Sequence, residues 1–150
     1  AIQAQVEATN GPPKAIASTV ALARDYAARG IPVVAATSGL RAHVERHLKA
    51  NGLDDVFPSS SIVTAADLPA GRGKPDPLIF QRAAAVAGAD PTKCIAYEDA
   101  EAGFEAAYKA GCEVVDVRDL DGYPAPKALR DVINIQRTNR PWLKAPTSGS

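Results

Sequence analysis

Short apolar runs alternate with segments of helical periodicity along most of this chain, and this alternation restricts its fold more than any other feature. Strands are expected at 31–36, 62–64, 94–97 and 113–117, and helices at 14–29, 40–50, 76–87 and 100–110. Several helical segments are followed by glycine, which commonly ends a helix. Strands separated by helices predict an α/β fold, namely a Rossmann-like parallel sheet with right-handed crossovers and helices on both faces.

Polar residues stand directly after three of the predicted strands or in the loop that follows. They are Thr37, Ser38 and Gly39, then Lys74 in a glycine-rich loop, then Glu98 and Asp99. Ligands of open parallel sheets bind at the carboxyl ends of the strands, so these residues are expected on one edge. A hydroxyl at the start of a helix binds anions, a lysine neutralises phosphate, and paired carboxylates hold Mg²⁺. The combination predicts a phosphoryl-transfer site.

Each of these features also has a purely structural explanation. Thr37 could cap the next helix, Lys74 could be an ordinary loop lysine, and Glu98 with Asp99 could cap the helix that follows them. Lys74 does not belong to a P-loop, because Pro75 stands where that motif needs Ser or Thr. No Gly-x-Gly-x-x-Gly follows a strand, which argues against a nucleotide-binding Rossmann module. The occurrence of all three groups at strand ends favours phosphoryl transfer.

Three segments together resemble the motifs of the haloacid dehalogenase-like (HAD) hydrolase superfamily. Motif II is matched by 33–39, motif III of the β-phosphoglucomutase-like subfamily by 73–77 with Phe80, and motif IV by 94–100 with Gly103. The run 114–118 is similar to the closing strand of sugar-phosphatase-like members. The resemblance extends over 12–118 and implies a HAD core.

The resemblance also implies roles for the residues at the strand ends. Phosphate binding would fall to Thr37, Ser38, Gly39 and Lys74. Lys74 would also be catalytic, because it would neutralise the phosphoryl group and orient the nucleophile. Asp99, helped by Glu98, would hold Mg²⁺. The reaction would transfer the phosphoryl group of a small phosphorylated metabolite through an aspartyl-phosphate.

The first motif of the family, Asp-x-Asp-Gly-Thr, does not precede Thr37 in this sequence. Residues 1–13 resemble the linker that returns from the helical cap, which follows motif I in this subfamily. The sequence has no methionine, so Ala1 is not expected to be a translation start. We expect the C-terminal part of a HAD protein without motif I and cap, with a partial core at 14–122.

An absent motif I strand would leave a slot in the centre of the sheet. That strand is expected between the strands that end at Thr37 and Glu98. Both would then present unpaired backbone groups, each of which costs roughly 1–3 kcal/mol when buried. Because total stability is only about 5–15 kcal/mol, the chain is not expected to be stable alone as a family-like fold. We therefore expect another polypeptide segment to fill the slot.

The letters Asp-Leu-Asp-Gly at 119–122 raise the alternative of a circularly permuted motif I. Three observations argue against it: Tyr123 replaces the Thr, Arg118 interrupts the preceding apolar run, and only one strand rather than two follows motif IV. We interpret 119–122 as a surface loop.

Two classes of function remain open. The first is the C-terminal portion of a Mg²⁺-dependent phosphatase or phosphomutase. The second is an inactive accessory or structural subunit of a larger, for example organellar, assembly. Residues 123–150 are rich in proline and basic residues and contain the only Trp, so they are expected to be an extended tail that could dock on a protein partner.

Charge and cysteine content exclude other classes. Lys plus Arg and Asp plus Glu are both 17, so no net field favours nucleic acid or membrane surfaces. Neither a membrane-spanning stretch nor a signal peptide is visible, so no membrane insertion is expected. Cys94 and Cys112 lie in apolar runs without metal-ligand spacing, which indicates buried thiols and a soluble protein of a reducing compartment, the cytoplasm or an organelle interior.

Overall fold

The computed structural model describes residues 6–7, 14–15 and 17–120, and these form an α/β structure. In chain order the elements are β1 (Val6–Glu7), β2 (Lys14–Ala15), α1 (Ala17–Ala28), β3 (Ala35–Thr37), α2 (Arg41–Ala50), β4 (Ile62–Thr64), α3 (Leu78–Val86), β5 (Ile95–Glu98), α4 (Glu101–Ala110) and β6 (Glu113–Asp116). The predicted fold class is confirmed. The tail at 123–150 and most of the linker at 1–13 lie outside the described residues.

The strands after α1 form two separate parallel pairs. β3 pairs with β4, with Thr37 opposite Thr64. β5 pairs with β6, with Glu98 opposite Asp116. Within the described ranges, no strand is paired with the second edge of β3 or of β5. This arrangement agrees with the incomplete HAD core that was expected from the sequence.

Helices cover both faces of the two strand pairs. Successive strand residues point to opposite sides, so each strand contributes to a buried cluster on each face. One buried cluster contains residues of α3 and α4 together with Val34, Ala36, Val63, Ala96 and Val114. The other contains residues of α1 and α2 together with Val33, Ala35, Ile62, Tyr97 and Val117. Each cluster includes residues from both strand pairs. The helices therefore hold the two pairs together across the open slot.

The first helix begins later than predicted. Lys14 and Ala15 were expected in a helix, but they form β2, which pairs antiparallel with Val6 and Glu7 of β1. Backbone pairing with a preceding segment replaces the helical hydrogen bonds there. At the other end of the chain, α4 stops as predicted at Gly111, whose φ of 93° suits glycine.

The burial of both cysteines agrees with the sequence analysis. Cys94 and Cys112 are free and buried. Burial raises the pKa of the Cys112 thiol to about 11. None of the helices in the described ranges is long and apolar enough to span a bilayer.

A capping box joins the carboxyl end of β4 to the short 3₁₀ turn Ala65–Asp67 that follows it. The Asp67 carboxylate accepts hydrogen bonds from the backbone N–H of Thr64 at 2.8 Å and from Arg41 Nη2 at 2.9 Å. Arg41, at the start of α2, also donates to the carbonyl oxygen of Ile62. The Thr64 N–H and the Arg41 guanidinium hold the pKa of Asp67 below its usual range.

We expect Asp67→Ala to lower the free energy of unfolding by about 0.5–1 kcal/mol at pH 7, at the low end for a lost cap because Asp67 is partly exposed. A carboxyl whose pKa is lowered by folding contributes stability above its unfolded pKa, about 3.9, and loses it as pH falls through the folded value. The difference between wild type and Asp67→Ala should therefore shrink below pH 4. Urea unfolding at pH 7 and at pH 3 tests this, and Asp54→Ala controls for the change of net charge.

Candidate functional site

Lys74 links the carboxyl ends of β3 and β5 across the slot. It lies in the loop between β4 and α3, and its Nζ donates to the carbonyl oxygen of Ala36 in β3 at 3.2 Å. The same Nζ forms an ion pair with Oε1 of Glu98, the last residue of β5. The Lys74 side chain is 7% exposed and that of Glu98 is 1% exposed. The structure thus brings together two residues that are 24 positions apart in the sequence.

The Glu98 carboxylate is engaged at both oxygens. Oε1 contacts Lys74, and Oε2 accepts the backbone N–H of Asp99 at 3.2 Å. Burial raises the pKa of the Glu98 carboxyl, and the Lys74 ammonium offsets part of this rise. The ring of Phe80 lies 5.2 Å from Lys74 Nζ, which adds a cation–π contact. The ammonium is therefore held on three sides: by a carbonyl, a carboxylate and an aromatic ring.

Thr37 forms a tight turn at the end of β3. Its Oγ1 accepts the backbone N–H of Gly39 at 3.0 Å, which leaves the hydroxyl hydrogen able to donate to an anion. Thr37 is half-buried, whereas Ser38 and Gly39 are exposed. The N-cap of α2 is Leu40, and no side chain caps that helix. The alternative that Thr37 caps α2 is therefore wrong.

Asp99 is half-buried and follows directly after β5. The alternative that Glu98 or Asp99 caps α4 is also wrong, since the N-cap is Ala100 and lacks a side-chain bond. In the described part of the chain, no third Asp, Glu, His or Cys joins the two carboxylates in a metal-binding group. Two carboxylates still fit Mg²⁺, which takes one or two of them and completes its shell with water and phosphate oxygens. Because both Glu98 oxygens are engaged, Asp99 is the better placed direct ligand.

An ion pair at the end of β6 was missed by the sequence reasoning. Arg118 binds Asp116 through two bonds, Nε to Oδ1 at 2.9 Å and Nη2 to Oδ2 at 2.7 Å. Its guanidinium lies 5.0 Å from the centroid of the Phe104 ring in α4. Asp116 is opposite Glu98 in the parallel register, so this pair borders the same edge of the sheet. The sequence signal for this pair was the Asp-x-Arg spacing at the end of a predicted strand.

The slot contains an apolar cavity at its amino end, away from Lys74. The cavity has a volume of about 280 Å³ and is lined mainly by Tyr26, Ile31, Pro32, Ile95 and Tyr97. The hydroxyl groups of Tyr26 in α1 and Tyr97 in β5 are 2.8 Å apart beside it. The space between β3 and β5 is therefore bordered by apolar side chains at one end and by Lys74 at the other.

Comparison with known proteins identifies the family of this chain. Residues 3–111 match the family model described as haloacid dehalogenase-like hydrolase. The chain belongs to this family. The matched range includes β3, the Lys74 loop and β5, which contain the segments that resemble motifs II, III and IV.

The relatives that this chain resembles include sugar-type phosphatases and a β-phosphoglucomutase. Hexitol phosphatase A of Escherichia coli is 32% identical over 103 residues, which cover 69% of this chain and 45% of that protein. The β-phosphoglucomutase of Bacillus subtilis is 52% identical over 46 residues, 31% of this chain and 20% of that protein. A hydrolase from Pseudomonas syringae superposes with a TM-score of 0.63 at 27% identity, covering 80% of this chain and 52% of that one. The chain spans less than half the length of the curated relatives that it matches.

Proposed function

We propose that this chain supplies the phosphate-binding and metal-binding part of a Mg²⁺-dependent phosphatase or phosphomutase that acts on a small phosphorylated metabolite. The observation that carries the proposal is the buried Lys74 ammonium, held between Ala36 in β3 and Glu98 in β5. A buried cation at the carboxyl edge of a parallel sheet suits an anionic ligand.

Thr37 and Lys74 would bind the transferring phosphoryl group. The Thr37 hydroxyl can donate to a phosphoryl oxygen because its own oxygen already accepts the Gly39 N–H. The backbone N–H groups of Ser38 and Gly39 lie in the same exposed turn before α2. Lys74 would neutralise charge that develops on the phosphoryl oxygens, since preorganised charges stabilise such transition states.

Asp99 would hold Mg²⁺, with Glu98 as the supporting carboxylate. When bound, Mg²⁺ supplies positive charge that neutralises the phosphoryl oxygens. The half-buried position of Asp99 leaves its carboxylate reachable from the sheet edge. The buried Glu98 keeps the Asp99 backbone in place through the hydrogen bond to its N–H.

The nucleophile would be an aspartate on a segment that fills the slot between β3 and β5. Family members carry it in Asp-x-Asp-Gly-Thr, which is absent from residues 1–150. A strand inserted there would pair with both open edges and cover the apolar cavity. Its carboxylate would attack the phosphorus to form an aspartyl-phosphate, while the bond to the substrate oxygen breaks and the substrate leaves as an alcohol, protonated by the second Asp of that motif. Water or a hydroxyl of another substrate molecule would then take the phosphoryl group and release the carboxylate.

A chimera tests the proposal. The motif I strand and cap of Escherichia coli hexitol phosphatase A would be fused before residue 1, and hydrolysis of p-nitrophenyl phosphate measured with and without Mg²⁺. We expect turnover that EDTA abolishes and that disappears when the first motif I Asp is changed to Asn. The 150-residue chain alone should show no turnover.

Other outcomes of this experiment are informative. A chimera that folds and binds inorganic phosphate but has no turnover would contradict the enzymatic proposal and favour the accessory-subunit alternative. Turnover by the 150-residue chain alone would contradict the proposed need for a nucleophile in the slot.

A further inference from the structure

We infer that Gly103 is a positioning residue of this site, because its missing side chain leaves the space in which the Glu98 carboxylate holds Lys74. The catalytic part of this inference rests on the proposed function. Its structural part concerns three residues only: Gly103, Glu98 and Lys74.

A side chain at Gly103 would collide with the Glu98 carboxylate. Gly103 is buried in the first turn of α4, and a Cβ atom built there lies less than 3.0 Å from Cδ, Oε1 and Oε2 of Glu98. A Cβ built at Gly30, Gly71 or Gly88 meets nothing within 4 Å. Those three have positive φ values, whereas Gly103 does not. Gly103 is thus explained by space and not by backbone conformation.

The atoms that would collide belong to the end of a flexible side chain. The backbone of α4 can therefore stay in place while the carboxylate moves, and alanine favours the helix more than glycine does. Gly103→Ala should therefore act on the carboxylate and its ion pair with Lys74, and not on the α4 backbone.

The position of the carboxylate matters because it has two partners. Glu98 binds the Lys74 ammonium with one oxygen and the Asp99 N–H with the other. A displaced carboxylate loses the geometry for both bonds, and Lys74 loses its anionic partner while it keeps the Ala36 carbonyl and the Phe80 ring. Gly103 therefore acts on the cation that would contact phosphate, without contacting phosphate itself.

The test is a double-mutant cycle in the chimera, with the ¹⁵Nζ ammonium resonance of Lys74 as the readout. The resonance is assigned by its absence in Lys74→Arg. With Glu98 present, Gly103→Ala should shift or broaden the Lys74 signal. In a Glu98→Ala background, Gly103→Ala should leave the signal unchanged. If Glu98→Ala does not fold, Glu98→Asp replaces it, because the aspartate carboxylate is one methylene group farther from Gly103.

The outcomes separate this inference from the proposed function. An unchanged Lys74 signal in Gly103→Ala, or an equal change in both backgrounds, would overturn the inference. The resonance does not depend on turnover, so an inactive chimera leaves this result intact. In an active chimera, Gly103→Ala should lower turnover by up to about 100-fold, the usual effect of a misplacement near 1 Å. The signal of Lys109, in an exposed pair with Glu105, serves as the internal control.

Discussion

Replacement of Lys74 by Met should lower the free energy of unfolding by about 3–5 kcal/mol, because it leaves the Glu98 carboxylate buried without its cation. Glu98 is 1% exposed, so water cannot replace the lost ammonium. Methionine is apolar and of similar length, so the packing of the stem is largely retained. Since domains have only about 5–15 kcal/mol in total, this single change would remove a large part of the stability.

A matched control is available in α4. Lys109 pairs with Glu105 at 3.1 Å, but their side chains are 49% and 39% exposed. Lys109→Met should therefore change the free energy of unfolding by less than about 1 kcal/mol. Urea unfolding, followed by circular dichroism, compares the two variants. It is measured on the chain or on the chimera, whichever unfolds cooperatively. Equal costs for Lys74→Met and Lys109→Met would contradict the buried pair.

A second substitution separates stability from catalysis. Adding Glu98→Leu to Lys74→Met removes the unpaired charge and should restore most of the stability, as replacement of buried pairs by apolar residues usually does. Turnover in the chimera should stay at least about 10²- to 10³-fold below wild type, because the double variant lacks both the fixed charge of Lys74 and the carboxylate that supports Asp99. Recovery of turnover together with stability would show that Lys74 is only structural.

The helices and strands that carry the site could be predicted because their signals are local. β4 was expected at 62–64 and spans Ile62–Thr64, and α4 ends at the glycine that was expected to stop it. The pairing of β2 with β1 could not be predicted, since it depends on contacts between two short segments and not on a periodic pattern. The open slot followed from the order of the family motifs and not from hydrophobic periodicity.

The site was predicted as a set of residues but not as a set of contacts. The rule that ligands bind at the carboxyl ends of strands brought Thr37, Lys74 and Glu98 to one edge. It did not predict that Lys74 bonds both the Ala36 carbonyl and the Glu98 carboxylate, because those contacts depend on the path of the loop before α3. The close approach of the Glu98 carboxylate to Gly103 also depends on side-chain positions that a motif does not specify.

The open slot and the buried ion pair are related physically. The two strand pairs share no backbone hydrogen bond across the slot within the described residues, and helices hold them from both faces. Lys74 adds a polar link between them at the carboxyl edge. A strand that enters the slot would thus meet a cation already in place and would not have to order it. Preorganisation of this kind reduces the cost of forming the complete site.

Replacement of Asp99 by Asn should weaken the apparent Mg²⁺ affinity of the chimera by at least about 100-fold. Loss of a supporting residue near a metal typically costs about 10- to 100-fold, and loss of a charged direct ligand should cost no less. Asn keeps the size of the side chain but removes its negative charge, so packing is retained. Mg²⁺ titration of turnover, together with calorimetric Mg²⁺ binding, measures the effect.

Two further variants show whether this effect belongs to Asp99 itself. Glu98→Gln should weaken Mg²⁺ binding by about 10- to 100-fold, because it removes the negative charge of the carboxylate that supports Asp99. Asp90→Asn is the matched control, since Asp90 accepts the Thr92 N–H at 2.8 Å in the turn before β5, at the opposite end of that strand. It should leave Mg²⁺ binding unchanged. Equal Mg²⁺ dependence in Asp99→Asn and Asp90→Asn would place the metal elsewhere, because of these two residues only Asp99 lies at the carboxyl edge with Lys74 and Thr37.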